Sequence, residues 1–115
     1  MKINEDVLLS IPNLLLGKHI KVSLSATGYE VEHVDPKDVA KRIEEKKWDL
    51  IIVDLGAQNP KEIESFPSIS DFVRTIGLVT HRDLRRIPRW KKKGFNCVFR
   101  VDFFSDPGKF LFPED

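Results

Sequence analysis

Residues 49–55 read Asp49-Leu50-Ile51-Ile52-Val53-Asp54-Leu55, an apolar run with a carboxylate near its end. A short run of this kind, rich in β-branched residues, predicts a strand buried on both faces at the centre of a parallel sheet. In open α/β sheets the chemistry lies outside the carboxyl ends of the strands. Asp54 is therefore the first candidate functional residue.

Working outward from this run, four further segments predict strands, and helical segments separate them. The predicted strands cover residues 7–11, 29–34, 50–55, 75–80 and 96–101. The predicted helices are a first with the stripe Leu16, Ile20 and Leu24, a second from about 36 to 47, a poorly patterned region from 59 that resumes over 68–74, and a segment 82–93 interrupted by Pro88. This alternation predicts an α/β fold, a three-layer sandwich around a doubly wound, five-stranded parallel sheet.

The composition predicts a single domain, residues 1–115, with one core. A net charge of +1 is not typical of a polybasic nucleic-acid binder or of an acidic tail. The one cysteine, Cys97, lies in an apolar run, which favours a buried thiol in a reducing compartment over a catalytic thiol. The chain begins with acid where a secretory signal carries base, and no apolar run approaches the roughly 18 residues of a membrane span. We therefore expect a cytoplasmic protein with no membrane contact.

Four pieces of the chain carry a resemblance through their order and spacing. They are Gly28-Tyr29-Glu30-Val31, Trp48 to Leu55, Ile76-Gly77-Leu78-Val79-Thr80 and Gly94-Phe95-Asn96. Together they resemble the receiver domain of two-component response regulators. The resemblance implies a flavodoxin-like (CheY-like) fold with strand order 2-1-3-4-5. It also implies that Asp54 fills the phosphoacceptor position and Thr80 the position of the switch hydroxyl.

The sequence also departs from the receiver pattern at the residues that carry its chemistry. Receivers have an acidic pair after the first strand that helps to hold magnesium, whereas this chain has Ser10-Ile11-Pro12-Asn13. Asp54 with only Asn13 to assist it is expected to bind magnesium weakly, and no other metal or cofactor site is predicted. The lysine that ends the fifth strand in receivers is also missing. Arg100 can pair with a phosphoryl group in its place only if the strand end twists suitably.

The C-terminal segment is too short for the last helix of a receiver, so that helix is predicted to be missing or vestigial. The loss would expose an apolar face of the sheet. Five large apolar side chains follow the fifth strand: Phe103, Phe104, Phe110, Leu111 and Phe112. They either fold back as a plug or join a second copy in a two-fold homodimer.

Residues 82–93 form a dense basic segment. Its candidate partner-binding residues are Arg82, Arg85, Arg86, Arg89, Trp90, Lys91 and Lys92. The interpretation that needs no binding function is a solvated amphipathic helix, with Leu84 and Ile87 on its buried side. The resemblance points to contact with a protein before contact with nucleic acid, for which the chain lacks a recognition motif.

These observations predict a stand-alone, degenerate receiver-like domain that is not an enzyme. It would act in signal transduction through protein–protein interaction, without normal magnesium-dependent phosphorylation of Asp54. One alternative is a phosphoaccepting receiver that uses Asp54. A further alternative is nucleic-acid binding through residues 82–93.

Overall fold

A computed structural model describes residues 5–112 and shows a five-stranded sheet whose strands are all parallel. The strands are β1 (Asp6–Ser10), β2 (Glu30–His33), β3 (Leu50–Asp54), β4 (Arg74–Val79) and β5 (Cys97–Phe99). Their order in the sheet is β2-β1-β3-β4-β5. The predicted flavodoxin-like order is therefore confirmed, with β3 at the centre and all five of its residues buried.

Helices connect the strands and cover both faces of the sheet. They are α1 (Leu14–Ser25), α2 (Val39–Glu45), α3 (Ile87–Lys92), α4 (Arg100–Ser105) and α5 (Pro107–Leu111). Short 3-10 turns occupy Pro36–Asp38, Leu55–Ala57, Pro60–Ser65 and His81–Asp83. Among residues 5–112, no helix is long and apolar enough to cross a membrane.

The alternation of side chains along β3 builds two separate cores. Leu50 and Ile52 pack on one face with α1 and the C-terminal helices. Ile51 and Val53 pack on the opposite face, with Trp90 of α3 among their neighbours. Successive strand residues point to opposite faces, so one apolar strand serves both layers. The three-layer sandwich follows directly from that alternation.

Two short helices, α4 and α5, follow β5, where the sequence predicted the last helix to be missing or vestigial. Phe103 and Leu111 are fully buried against the core that contains α1, and Phe104 and Phe110 are partly buried there. Arg74 Nη2 donates hydrogen bonds to the carbonyl oxygens of Phe110 (3.1 Å) and Leu111 (3.0 Å). The segment therefore folds back on its own sheet as a plug. Of the five apolar side chains predicted to form the plug, only Phe112, the last described residue, keeps a large exposed fraction, 40%.

Two of the predicted segments differ clearly from the structure, and a third agrees with it. The third helical region does not resume at residues 68–74, where the chain is irregular and β4 begins at Arg74. β5 ends at Phe99 instead of Val101, because α4 begins at once with Arg100. The segment 82–93 is broken as expected, into a 3-10 turn and α3, which has Pro88 in its first turn.

Candidate functional site

Asp54 ends β3 and is 7% exposed, at the carboxyl edge of the sheet. Its neighbours in the sheet are the ends of β1 and β4, since Ser10 pairs with Val53 and Leu78 pairs with Asp54 in register. The central position of β3 thus places one carboxylate in a buried setting. A buried carboxylate needs hydrogen-bond donors or a proton to remain stable.

Arg100 supplies those donors. It is the first residue of α4, and its Nε (3.0 Å) and Nη2 (2.7 Å) both donate to Asp54 Oδ1. The early end of β5 makes this contact, because the helical turn that begins at Arg100 frees its side chain from the strand's strict alternation. Arg100 thus pairs with Asp54, a placement that the sequence predicted only on condition that the strand end twists suitably.

Burial and Arg100 act on the pKa of Asp54 in opposite directions. Burial raises the pKa of Asp54, because the charged form loses hydration. The hydrogen bond and the charge of Arg100 lower it, as does the backbone N–H of Gly56, while the charge of Asp83 raises it. The balance is a raised pKa. The ion pair therefore compensates only part of the desolvation of this carboxylate.

Asp83 is a second buried carboxylate that the sequence analysis missed. Its Oδ2 accepts hydrogen bonds from the backbone N–H (2.8 Å) and hydroxyl (3.0 Å) of Thr80, and its Oδ1 accepts one from Arg86 Nη1 (3.2 Å). A methyl group on Gly56 would lie 3.0 Å from Asp83 Oδ2 and 2.7 Å from Arg100 Nη2. Asp83 therefore lies next to the Asp54–Arg100 pair. The spacing Thr80-x-x-Asp83, a capping-box pattern, is the signal that could have revealed it.

The hydroxyl of Thr80, at the predicted switch position, is engaged in local capping. It donates to Asp83 Oδ2 and accepts a 3.3 Å hydrogen bond from the backbone N–H of Arg82. These contacts are those of an N-cap residue on the 3-10 turn His81–Asp83. The contacts of the Thr80 hydroxyl are thus explained by its role as the N-cap of this turn.

We expect Thr80→Ala to lower the free energy of unfolding by about 1 kcal/mol, the usual loss for a removed N-cap. The buried carboxylate of Asp83 also loses one donor in this variant. Thr80→Ser keeps the hydroxyl and should unfold at nearly the same urea concentration as the wild type. Equal losses in the two variants would show that the methyl group, and not the cap, is what matters.

The residues of this site line an open cleft of about 460 Å³. The lining residues are Gly56, Thr80, His81, Arg82, Asp83, Arg86 and Arg100. The lining thus contains three arginines and one buried carboxylate, that of Asp83, which accepts a hydrogen bond from Arg86. The other buried carboxylate of the site, that of Asp54, accepts hydrogen bonds from Arg100. Arginine guanidinium groups in such a setting favour anions over cations as ligands.

The magnesium that the receiver resemblance implies does not fit these residues. Asn13, the one oxygen donor proposed from the sequence to assist Asp54, caps α1 instead by accepting a 3.2 Å hydrogen bond from the Leu16 N–H. Asp54 Oδ1 is engaged by a guanidinium group, which repels a cation. Within residues 5–112, no three His, Cys, Asp or Glu side chains lie together as metal ligands.

No protein-family model matches this chain. No curated protein sequence matches it significantly either. The structure shows the α/β sheet and its flavodoxin-like strand order, and a fold of this kind does not by itself assign a function.

Five cations of the basic segment are exposed, and none of them forms an ion pair with a carboxylate of the described residues 5–112. They are Arg82, Arg85, Arg89, Lys91 and Lys92. Arg86 differs, because it pairs with Asp83. We call the five exposed side chains the basic face.

Trp90 does not belong to the basic face, although the sequence analysis placed it among the partner-binding residues. It is 1% exposed and packs edge-on against the rings of Phe66 (5.0 Å) and Phe95 (5.7 Å). Leu84, predicted to be buried, is exposed instead. The 3-10 turn and the break before α3 change the helical phase, so the buried stripe differs from that of one regular helix.

Proposed function

We propose that this protein is a receiver-like signalling domain whose phosphoacceptor position is held by an internal ion pair, and that it acts through contacts with another protein. The observation that carries the proposal is the pair of hydrogen bonds from Arg100 to Asp54 Oδ1. The strand order and the place of Asp54 at the end of β3 support the comparison with receivers.

The chemistry of phosphoryl transfer explains why this pair argues against phosphorylation. Transfer to a carboxylate depends on positioning and on neutralising the charge of the phosphoryl oxygens. In this pocket the guanidinium group already neutralises the acceptor, and the donor set does not suit magnesium. Asp54 is thereby a weaker nucleophile in a pocket with less means of orienting a phosphodonor.

Exposed apolar side chains on α1 support contact with a protein. Leu14, Leu15 and Val22 are all exposed, and a groove of about 760 Å³ runs past Leu14 and Val22. Lys18 and Lys21 also line the groove, and none of its lining residues is acidic. Apolar patches bordered by one sign of charge are typical of interaction surfaces. The fitting partner is a segment that carries both apolar and acidic side chains.

A homodimer is the alternative form of this proposal. Two copies joined across α1 would bring the lysines of one copy towards those of the other, which disfavours that arrangement. Most of the C-terminal residues predicted to form a dimer face are buried in the same chain. We therefore expect light scattering after gel filtration to report a monomer. A stable dimer would shift the proposal from another protein to a second copy.

The test of the proposal is intact mass after incubation with magnesium and saturating acetyl phosphate. We expect no gain of a phosphoryl group on the wild type. Asp54→Ala is the matched control, and a receiver of established activity in the same reaction reports that the donor is competent. A phosphoryl group that appears on the wild type and is lost in Asp54→Ala would overturn the proposal.

One observation favours a second candidate, a phosphoaccepting switch. Arg100 stands where a cation could pair with a phosphoryl group on Asp54, as the lysine of receivers does. This candidate predicts a gain of mass that depends on magnesium. It also predicts that Arg100→Gln reduces the gain, so the same assay distinguishes the two functions.

A further inference from the structure

Charge is distributed very unevenly along this nearly neutral chain. Residues 82–93 contain seven Lys or Arg and one Asp, a net charge of +6. The remaining twelve cations and seventeen acids leave −5 for the rest of the chain. A concentration of charge of this kind produces a local field that the net charge of +1 conceals.

The structure leaves this charge available to a ligand. The five side chains of the basic face are exposed and form no ion pair with the carboxylates of residues 5–112. Asp83, the only acid of the segment, is buried and already pairs with Arg86. A polyanion would therefore meet the cations of this face without displacing an internal partner.

An exposed aromatic ring lies beside the end of the basic face. Phe72 is 98% exposed, in the loop between Ile69 and Thr75. Both ends of this loop are bonded to the turn that follows α3, since the Ile69 N–H donates to the Lys93 carbonyl (2.7 Å) and the Thr75 hydroxyl donates to the Gly94 carbonyl (2.9 Å).

Local hydrogen bonds fix the backbone of the loop that carries this exposed ring. The N–H of Phe72 donates to Ser70 Oγ (3.2 Å), and the N–H of Val73 donates to the Ser70 carbonyl (3.0 Å). Gly94 has φ +106°, and a methyl group there would lie 2.7 Å from the Ile69 carbonyl oxygen. Glycine thus permits the close approach that joins the loop of Phe72 to the end of the basic segment.

We infer that the basic face and Phe72 together bind single-stranded nucleic acid. Surfaces of this type combine cations that follow the phosphates with an aromatic ring on which a base stacks. Arginine provides three of the five cations, and its planar fork suits phosphate oxygens. Asp71, the exposed acid beside Phe72, opposes only part of this charge. The inference is independent of the state of Asp54.

Fluorescence anisotropy with labelled oligo(dT) and oligo(U), each about 12 nucleotides long, tests the inference. If all five cations contact phosphates, we expect affinity to fall about 100-fold between about 50 and 200 mM KCl, from a slope near −0.7 per contact for single strands. Arg85→Gln with Arg89→Gln should weaken binding and reduce the slope by about 1.4. A salt dependence that is unchanged in this double variant would overturn the inference.

Two variants test whether binding depends on base stacking and on the position of the cations, or only on the total positive charge. Phe72→Ser should weaken binding about tenfold and leave the salt slope unchanged, because a lost stacked base changes no ion count. Lys37→Gln with Lys41→Gln removes the same charge from the exposed crossover that packs on β1, three strands away from β5, and should change neither affinity nor slope. Wild-type affinity in Phe72→Ser would contradict a stacked base and hence the inference.

An acidic protein segment is the competing ligand for the same face. A labelled oligoglutamate of matched length carries similar charge but offers neither phosphates nor bases. We expect it to bind at least tenfold more weakly than oligo(dT) at the same salt concentration. Equal or tighter binding of oligoglutamate would overturn the inference and assign the basic face to an acidic protein.

Discussion

Replacing Phe103 by alanine is expected to lower the free energy of unfolding by about 3–5 kcal/mol, as for other fully buried aromatic residues. Its ring lies 5.3 Å from that of Phe104 and 5.9 Å from that of Phe110, under the two short C-terminal helices. Helices of five or six residues are not stable in isolation, so this packing is what holds them. Urea unfolding followed by circular dichroism measures the loss.

Phe112→Ala is the matched control for this prediction. Its side chain is 40% exposed and has one described ring contact, with Tyr29 at 6.2 Å. The expected loss is therefore below about 1 kcal/mol. Equal losses in the two variants would contradict the fold-back of the C-terminal segment on its own sheet. They would also restore the dimer as the explanation of how that sheet face is covered.

Arg100→Gln is expected to lower the free energy of unfolding at pH 7 by roughly 2 kcal/mol, because it leaves the carboxylate of Asp54 buried without its cation. The loss should be smaller than for a completely buried pair, since the Arg100 side chain is 36% exposed and water can reach the site. Asp54→Asn with Arg100→Gln removes both charges and should recover most of the loss. A double variant no more stable than Arg100→Gln would show that the ion pair is not the cause.

The raised pKa of Asp54 sets the direction of the pH dependence. Between its ordinary value of 3.8 and the raised value, the folded protein keeps a proton that the unfolded chain has lost. The contribution of Asp54 to the free energy of unfolding therefore decreases as pH rises through this window and is constant above it. Asp54→Asn should remove this decrease and be more stable than the wild type at pH 7. Arg100→Gln should lose least near pH 3, where Asp54 is protonated in both states.

Local patterns were sufficient to predict the sheet. The apolar run at residues 50–53, the turn glycine Gly28 and the proline after Asp35 are signals that short-range sterics and burial impose on any chain. The right-handedness of βαβ units restricts the order of the strands further. The place of Asp54 at a strand end was therefore accessible without coordinates, whereas the strand order 2-1-3-4-5 was expected from the resemblance to receivers.

Contacts in the candidate site were less accessible, because they depend on where elements end. Arg100 and Asp54 are 46 residues apart, and they meet only because β5 stops at Phe99 and a helix begins at the next residue. Trp90, predicted to bind a partner, lies in the core, and Leu84, predicted to be buried, lies on the surface, for a similar reason. A 3-10 turn shifts the helical phase by an amount that a period of 3.6 residues does not include.

The sequence by itself determined the α/β alternation, the parallel direction of the strands and the position of one carboxylate at the sheet edge, since each arises from hydrophobic periodicity and chain chirality. Only the tertiary structure decided that Arg100 neutralises that carboxylate and that Asp83 binds Thr80 and Arg86. It also decided that the C-terminal aromatics cover their own sheet. These outcomes join residues far apart in the chain, and their geometry depends on the last turn of each element, which local periodicity does not specify.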